Sequence, residues 1–386
     1  MPIDVQTLLK ATVEAGASDL HVSAGMPPLI RVRGDMVRSP APAMTDTDAR
    51  TMLHTLMSDE QKKEFKERRD IDFAFELPGL CRFRANIFEQ RRGIGGVFRV
   101  IATKIKTLEE LGTPRVLKDL AMKDHGLVLV TGPTGSGKST TLAAMIDYVN
   151  SNRPGHIITI EDPIEFVHES KSCLINQREV GSHTDSFSAA LRSALREDPD
   201  IILVGELRDL ETTALAITAA ETGHLVFGTL HTNSASKTID RLIDIFPAER
   251  QSQVRTMVSE SLEGVIAQTL LPTTDGKSRV AAIEILVGVS ALRNLIREDK
   301  TTQIQSVMQV GGQHGMQTLD MALKDLVITG KITREVAVER STNPKLFEAA
   351  VPGGATHAGG TPGSGGPPVG AGSGAPVATG GGTPRH

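Results

Sequence analysis

The sequence has no tryptophan, one tyrosine and two cysteines, Cys81 and Cys173, among its 386 residues. Two cysteines cannot build a disulfide framework or a four-cysteine zinc site. No apolar run approaches the roughly 18 residues that a membrane-spanning helix needs. Met1–Leu20 shows no basic stretch leading into a long apolar one, so no secretory signal is read. Basic charge has no excess: 42 Lys and Arg against 46 Asp and Glu leave a mildly acidic net charge of -4. That balance, with aromatics at 3%, offers neither a general polyanion surface nor an aromatic and basic groove, and no direct nucleic-acid contact is expected. The expectation is a soluble protein of the cytoplasm.

Glycine and proline gather at the C-terminal end. The 36 residues from Val351 to His386 hold 13 of the 37 Gly, 6 of the 20 Pro, a single charged residue (Arg385) and no Phe, Tyr or Trp. Such a segment cannot bury enough apolar surface to offset its ordering entropy, so residues 348–386 read as a disordered tail. The rest changes character around Val100–Leu120. Residues 1–99 combine a helical pattern (Val5, Leu8, Leu9, Val13), short β-like runs (Leu29–Val32, Ile71–Phe75, Phe83–Phe88) and one charged helix over roughly Asp46–Arg68. These features suit a small α+β domain. Residues 100–117, with Gly112 and Pro114, read as a linker. From 118 to 347 the apolar runs Leu127–Thr131, Ile157–Ile160, Ile201–Val204 and Leu225–Thr229 alternate with helical patterns. Alternation of that kind predicts an α/β domain on a buried, mainly parallel sheet.

The sharpest local signal is Gly132-Pro133-Thr134-Gly135-Ser136-Gly137-Lys138-Ser139, followed by Thr140, between a predicted strand and a predicted helix. Glycines let the backbone curl so that its N–H groups converge on phosphate oxygens. Lys138 would meet the β/γ-phosphates, the Ser139 hydroxyl would meet Mg²⁺, and the helix N-terminus adds positive potential. The chain is therefore expected to bind a nucleoside triphosphate. Hydrolysis needs carboxylates near the metal and positive charge for the transition state. Two acidic clusters end strands of the same sheet: Glu161, Asp162 and Glu165 after Ile157–Ile160, and Glu206 after Ile201–Val204. His224 and His231 stand seven residues apart, which on one strand would put them on opposite faces and argues against a shared zinc. His231, beside Thr229 and Asn233, suits a polar role near the γ-phosphate. In the first domain, alternation puts Arg82 and Arg84 on one strand face, with Arg91, Arg92 and Arg99 further on. These are candidates for an arginine finger, against solvation as the usual fate of such side chains.

Taken together, the motifs resemble the type II/IV secretion ATPase superfamily, and within it the type IV pilus retraction motors. The matching elements are Gly132–Ser139 (Walker A), Ile158–Phe166 (Asp box), Leu195–Asp209 (Walker B signature) and His224–His231 (His box). Ala291-Leu-Arg-Asn-Leu-Ile-Arg-Glu298 looks like the retraction branch's Ala-Ile-Arg-Asn-Leu-Ile-Arg-Glu, with Leu292 in place of Ile. The resemblance implies a PAS-like N-terminal domain joined to a RecA-like ATPase domain, assembled as a homohexamer, with ATP and Mg²⁺ in the interdomain cleft. By that likeness Gly132 to Thr140 hold the phosphates, and Ser139, Glu161 and Asp162 stand at the metal. Glu206 polarises water, Glu165 and His231 support Mg²⁺ and phosphate, and Arg82 and Arg84 complete the site. It further implies an inner-membrane pilus platform protein (PilC-like) as partner, a second retraction ATPase as another, and work at the inner face of the cytoplasmic membrane. The C-terminal tail departs from the short retraction ATPases and keeps an accessory retraction motor open as an alternative. A nucleotide-gated assembly module without sustained turnover is a separate alternative.

Overall fold

The structure is a computed structural model that describes residues 4–32, 34–101 and 104–348. Apart from Glu348, the tail expected from composition lies outside those residues. The chain through Phe347 forms one compact unit organised on two sheets.

The N-terminal sheet has six antiparallel strands in the order β3-β2-β1-β6-β5-β4. They are β1 (Asp19–Ser23), β2 (Leu29–Val32), β3 (Asp35–Arg38), β4 (Asp70–Leu77), β5 (Cys81–Gln90) and β6 (Gly93–Ile101). In β5 the pleat turns Cys81, Phe83, Ala85 and Ile87 into the core and leaves Arg82 and Arg84 on the other face. The inward set packs with Leu9 of α1 (Val5–Glu14) and Leu53 of α2 (Asp46–His54). The single charged helix expected over Asp46–Arg68 is in fact two, α2 and α3 (Asp59–Arg68). Ser58 breaks it: its hydroxyl accepts from the Gln61 amide and its own amide donates to the Gln61 side chain, a reciprocal capping box that starts a new helix.

The second sheet follows the order β13-β12-β7-β11-β10-β8-β9 and is parallel except for the β12–β13 pair. Its strands are β7 (Gly126–Thr131), β8 (Gly155–Glu161), β9 (Cys173–Glu179), β10 (Ile201–Val204), β11 (Leu225–Leu230), β12 (Leu262–Pro272) and β13 (Arg279–Val287). The four runs read from the sequence are its centre, β7, β8, β10 and β11. Alternate residues feed two apolar layers: Leu127 and Leu129 pack on one face of the sheet, Val128 and Val130 on the other. Both layers are helical. In chain order the helices are α4 (Val116–Ala121), α5 (Lys138–Asn152), α6 (Phe187–Ala194), α7 (Leu210–Glu221), α8 (Ala235–Asp244), α9 (Ala248–Ser261) and α10 (Ser290–Arg297). The last ones are α11 (Ile304–Val310), α12 (Leu319–Ile328), α13 (Arg334–Arg340) and α14 (Lys345–Glu348).

The stretch expected as a linker over 100–117 is less free than its composition suggests. Val100 and Ile101 still belong to β6, and Leu108, Val116 and Leu117 are buried under the second sheet. Glu284 of β13 is buried and accepts from the Ala235 amide at 2.6 Å and the Leu319 amide at 3.3 Å. One carboxylate thereby satisfies the first turns of α8 and α12. In α10, Leu292 and Ile296 are buried and Arg293 pairs with Glu263 at 2.7 Å, so part of the Ala291–Glu298 motif packs while Asn294 and Arg297 stay outside. No helix of the described residues is long and apolar enough to cross a membrane.

Candidate nucleotide-binding site

The loop between β7 and α5 is shaped from both ends. Every residue of β7 is buried, which fixes where the loop starts. Gly132 has φ 143°, and a Cβ there would stand 2.3 Å from the Gln268 carbonyl oxygen. Gly137 has φ 90°, and its Cβ would stand 2.8 Å from Gln268 Nε2. Only glycine meets both demands. Gln268 of β12, itself buried, donates to the Ser136 carbonyl at 2.8 Å and accepts from the Thr141 hydroxyl at 2.8 Å. One amide thus ties the turn of the loop to the helix behind it.

The cavity above this loop holds about 450 Å³. Thr134, Gly135, Gly137, Lys138, Ser139 and Thr140 form its floor, whereas Gly132, Pro133 and Ser136 shape the loop from outside the cavity. Lys138 Nζ donates to the carbonyls of Gly132 at 2.8 Å and Pro133 at 3.3 Å. Burial lowers the pKa of this ammonium, with Glu206 and Glu165 pulling the other way. Its partners are neutral carbonyls that a phosphate would outcompete through charge-assisted hydrogen bonds.

The acidic clusters expected at strand ends line the same cavity: Glu161, Asp162, Glu165 and Glu206, together with His231. Glu161 is held by the Thr159 hydroxyl at 2.7 Å and Gln177 Nε2 at 3.2 Å. Burial nevertheless raises its carboxyl above the usual range. Glu206 lies 2.6 Å from Arg208 Nε and 3.1 Å from His231 Nε2. Burial works against its charge, but the hydrogen bonds from Arg208 and His231 outweigh it and keep the carboxyl below its ordinary value. The Glu206 loop is pinned to β11 by Leu207 N donating to Thr229 O at 3.0 Å. His224 is elsewhere, its ring 3.0 Å from the Ala219 carbonyl at the end of α7.

From the N-terminal sheet, Arg84 and Arg99 line the cavity. Arg82 does not. It reaches Glu179 at the end of β9 instead, Nη2 to Oε2 2.8 Å, with both side chains largely buried. Arg208, Thr229 and Phe166 also line the cavity, and Gln268 holds its loop, without a chemical role that the sequence alone suggests. Arg208, Thr229 and Phe166 lie inside the Walker B signature, the His box and the Asp box, while Gln268 lies on a strand that no local pattern marked. All the donors facing this cavity from the acidic clusters and Ser139 are oxygens, the chemistry Mg²⁺ prefers. No cluster of three or more His, Cys, Asp or Glu that would cage a metal by itself occurs among the described residues.

Residues 2–351 match the family model described as type II/IV secretion system protein. The chain belongs to this family. It is 60% identical over 345 residues, 89% of this chain and 100% of the relative, to the type IV pilus retraction ATPase PilT of Pseudomonas aeruginosa. With the type IV pilus ATPase PilU of the same organism it shares 44% over 336 residues, 87% of this chain and 88% of that one. A crystal structure of the pilus retraction motor PilT with bound ADP superposes with a TM-score of 0.84 at 48% identity, covering 90% of this chain and 99% of that one. As a secretion-family ATPase, the chain places its nucleotide cavity between its two sheets.

Proposed function

We propose that this chain is the ATP-driven motor that retracts type IV pili. The observation that carries this reading is a P-loop cavity that also takes in Glu206, His231 and, from the other sheet, Arg84, in a chain 60% identical along the whole length of a retraction ATPase. Identity to the retraction ATPase exceeds the 44% shared with the PilU relative, which favours the main motor over the accessory one.

In this reading ATP enters with its phosphates on the amides of Gly135 to Thr140, and Lys138 leaves its carbonyl partners for the β/γ-phosphates. Glu206, kept ionised by Arg208 and His231, orients the attacking water and accepts its proton. Ser139, with Glu161 and Asp162, would hold Mg²⁺, which neutralises charge on the transferring phosphoryl group. Glu165 and His231 flank the terminal phosphate. Arg84, joined by Arg99, supplies positive charge from the N-terminal sheet, so closure around ATP draws residues 1–99 toward residues 118–347. In a homohexameric ring that movement passes to the neighbouring subunit and on to an inner-membrane, PilC-like platform protein at the cytoplasmic face, with a second retraction ATPase as a further partner.

Steady ATP turnover by the pure protein, abolished by Lys138→Ala, is the expected result. Tight ATP binding with turnover at background would instead favour the nucleotide-gated assembly module.

A further inference from the structure

A second cavity, of roughly 780 Å³, shares no lining residue with the nucleotide site. It is walled by Arg50 and His54 of α2, by Lys62, Lys66 and Arg69 on α3 and its cap, and by Glu89 of β5. Glu89 is the one carboxylate of that lining, and Arg50 already holds it at 2.6 Å. Lys62 has only the exposed Asp59, at 3.2 Å. Lys66 and Arg69 have no acidic partner among the described residues.

Three features separate this from ordinary surface charge. First, three of the four carboxylates of α3 face away from the cavity: at 100° per residue, Lys62 and Lys66 fall on the stripe that includes Phe65, Glu60, Glu64 and Glu67 fall on the opposite side, and Asp59 stands beside the lysines. Second, Arg69 caps α3 with φ 66°, a left-handed position that favours glycine and costs another residue roughly 1 kcal/mol. The cation sits there against the local backbone preference. Third, His54 Nε2 is buried without a hydrogen-bond partner, its ring edge-on to Phe65 at 6.3 Å. Burial, then Arg50 and Lys62, lower the pKa of this imidazole, and Glu89 opposes them. With Lys66 and Arg69 also facing the cavity, its potential is positive.

We propose that this cavity binds a soluble, phosphate-bearing anion of small-molecule size. Its volume suits such a ligand. Lys66 and Arg69 provide charge-assisted donors, and the arginine fork can take two phosphate oxygens. An anion here offsets the repulsion on His54, so binding draws a proton onto the imidazole.

The test is calorimetric titration of the full chain with inorganic pyrophosphate, its P-loop first saturated with a non-hydrolysable ATP analogue. The expected result is one site per chain, weakened about tenfold or more by Arg69→Gly and by Lys66→Glu. Lys63→Glu, on α3 outside the cavity lining, leaves it unchanged. Glycine suits the left-handed cap, so thermal unfolding of Arg69→Gly separates lost binding from lost folding. No binding at millimolar pyrophosphate, or equal binding by Arg69→Gly and the unaltered chain, overturns the proposal. Flotation with phosphatidylglycerol vesicles that requires Arg69, without any pyrophosphate binding, overturns the soluble ligand in favour of a lipid headgroup.

Discussion

Arg82 of the N-terminal sheet reaches Glu179 at the end of β9, Nη2 to Oε2 2.8 Å, where Glu179 Oε2 also accepts from the Ile164 amide at 3.0 Å. One carboxylate therefore joins the N-terminal sheet to the loop that carries Asp162 and Glu165. The Glu179 side chain is 6% exposed and that of Arg82 19%. Removing one partner of so buried a pair leaves a charge uncompensated. Arg82→Ala is expected to lower stability by on the order of 3 kcal/mol. Arg84→Ala, which alters the cavity wall, is expected to spare stability and lower kcat by about 10³-fold with ATP affinity kept. Denaturant unfolding and steady-state turnover of both variants check this. Equal kcat losses with unchanged stability would make Arg82 a finger like its neighbour.

Glu206 is expected to carry the water-activating role because two donors keep it ionised inside the cavity. Glu206→Gln keeps the shape and loses the base, so turnover should fall by roughly 10²–10⁴-fold while nucleotide still binds. Turnover at the level of the unaltered chain would remove Glu206 from the chemistry.

Gln268 makes a sharper structural prediction. Gln268→Leu has similar bulk but strands the Ser136 carbonyl and the Thr141 hydroxyl in a buried place. Each stranded group costs roughly 1–3 kcal/mol. Nucleotide affinity should drop along with stability, because the loop loses its anchor. A variant with full ATP affinity would mean that the glycines and β7 hold the loop unaided.

His168, on the cavity wall, has its pKa lowered to about 4 by burial. The unfolded chain takes up a proton at this residue near the ordinary histidine value while the folded chain resists it. Folding stability should therefore decline as pH falls from about 6.5 toward 4. His168→Gln should flatten part of that decline. Unfolding free energies at neutral pH and at pH 5 for both chains test it, and an identical decline would assign the acid sensitivity to other groups.

Much of the site could be read from sequence because its determinants are local. Gly132 to Ser139 carry their geometry in glycine and their charge in Lys138, and the apolar runs before Glu161 and Glu206 deliver those acids to one sheet edge. Runs with a polar or half-exposed face were harder. In β9, Cys173–Glu179, polar Asn176, Gln177 and Arg178 mask a parallel edge strand that only its pairing with β8 explains. Ser58 hid a helix break inside a charged stretch, although the capping pair with Gln61 was legible in principle. Arg82 and Arg84 share a strand face, as alternation predicts, yet two residues along β5 separate an ion pair with Glu179 from the wall of the nucleotide cavity. That difference depends on β9, far away in sequence, and no local pattern carries it.

Counting surface pili by electron microscopy, on cells that lack this gene and carry the Lys138→Ala form, distinguishes a retraction motor from an extension or secretion motor. Excess pili and lost twitching motility, both reversed by the unaltered gene, are expected of a retraction motor. Bare cells would contradict that reading and make the chain an extension or secretion motor.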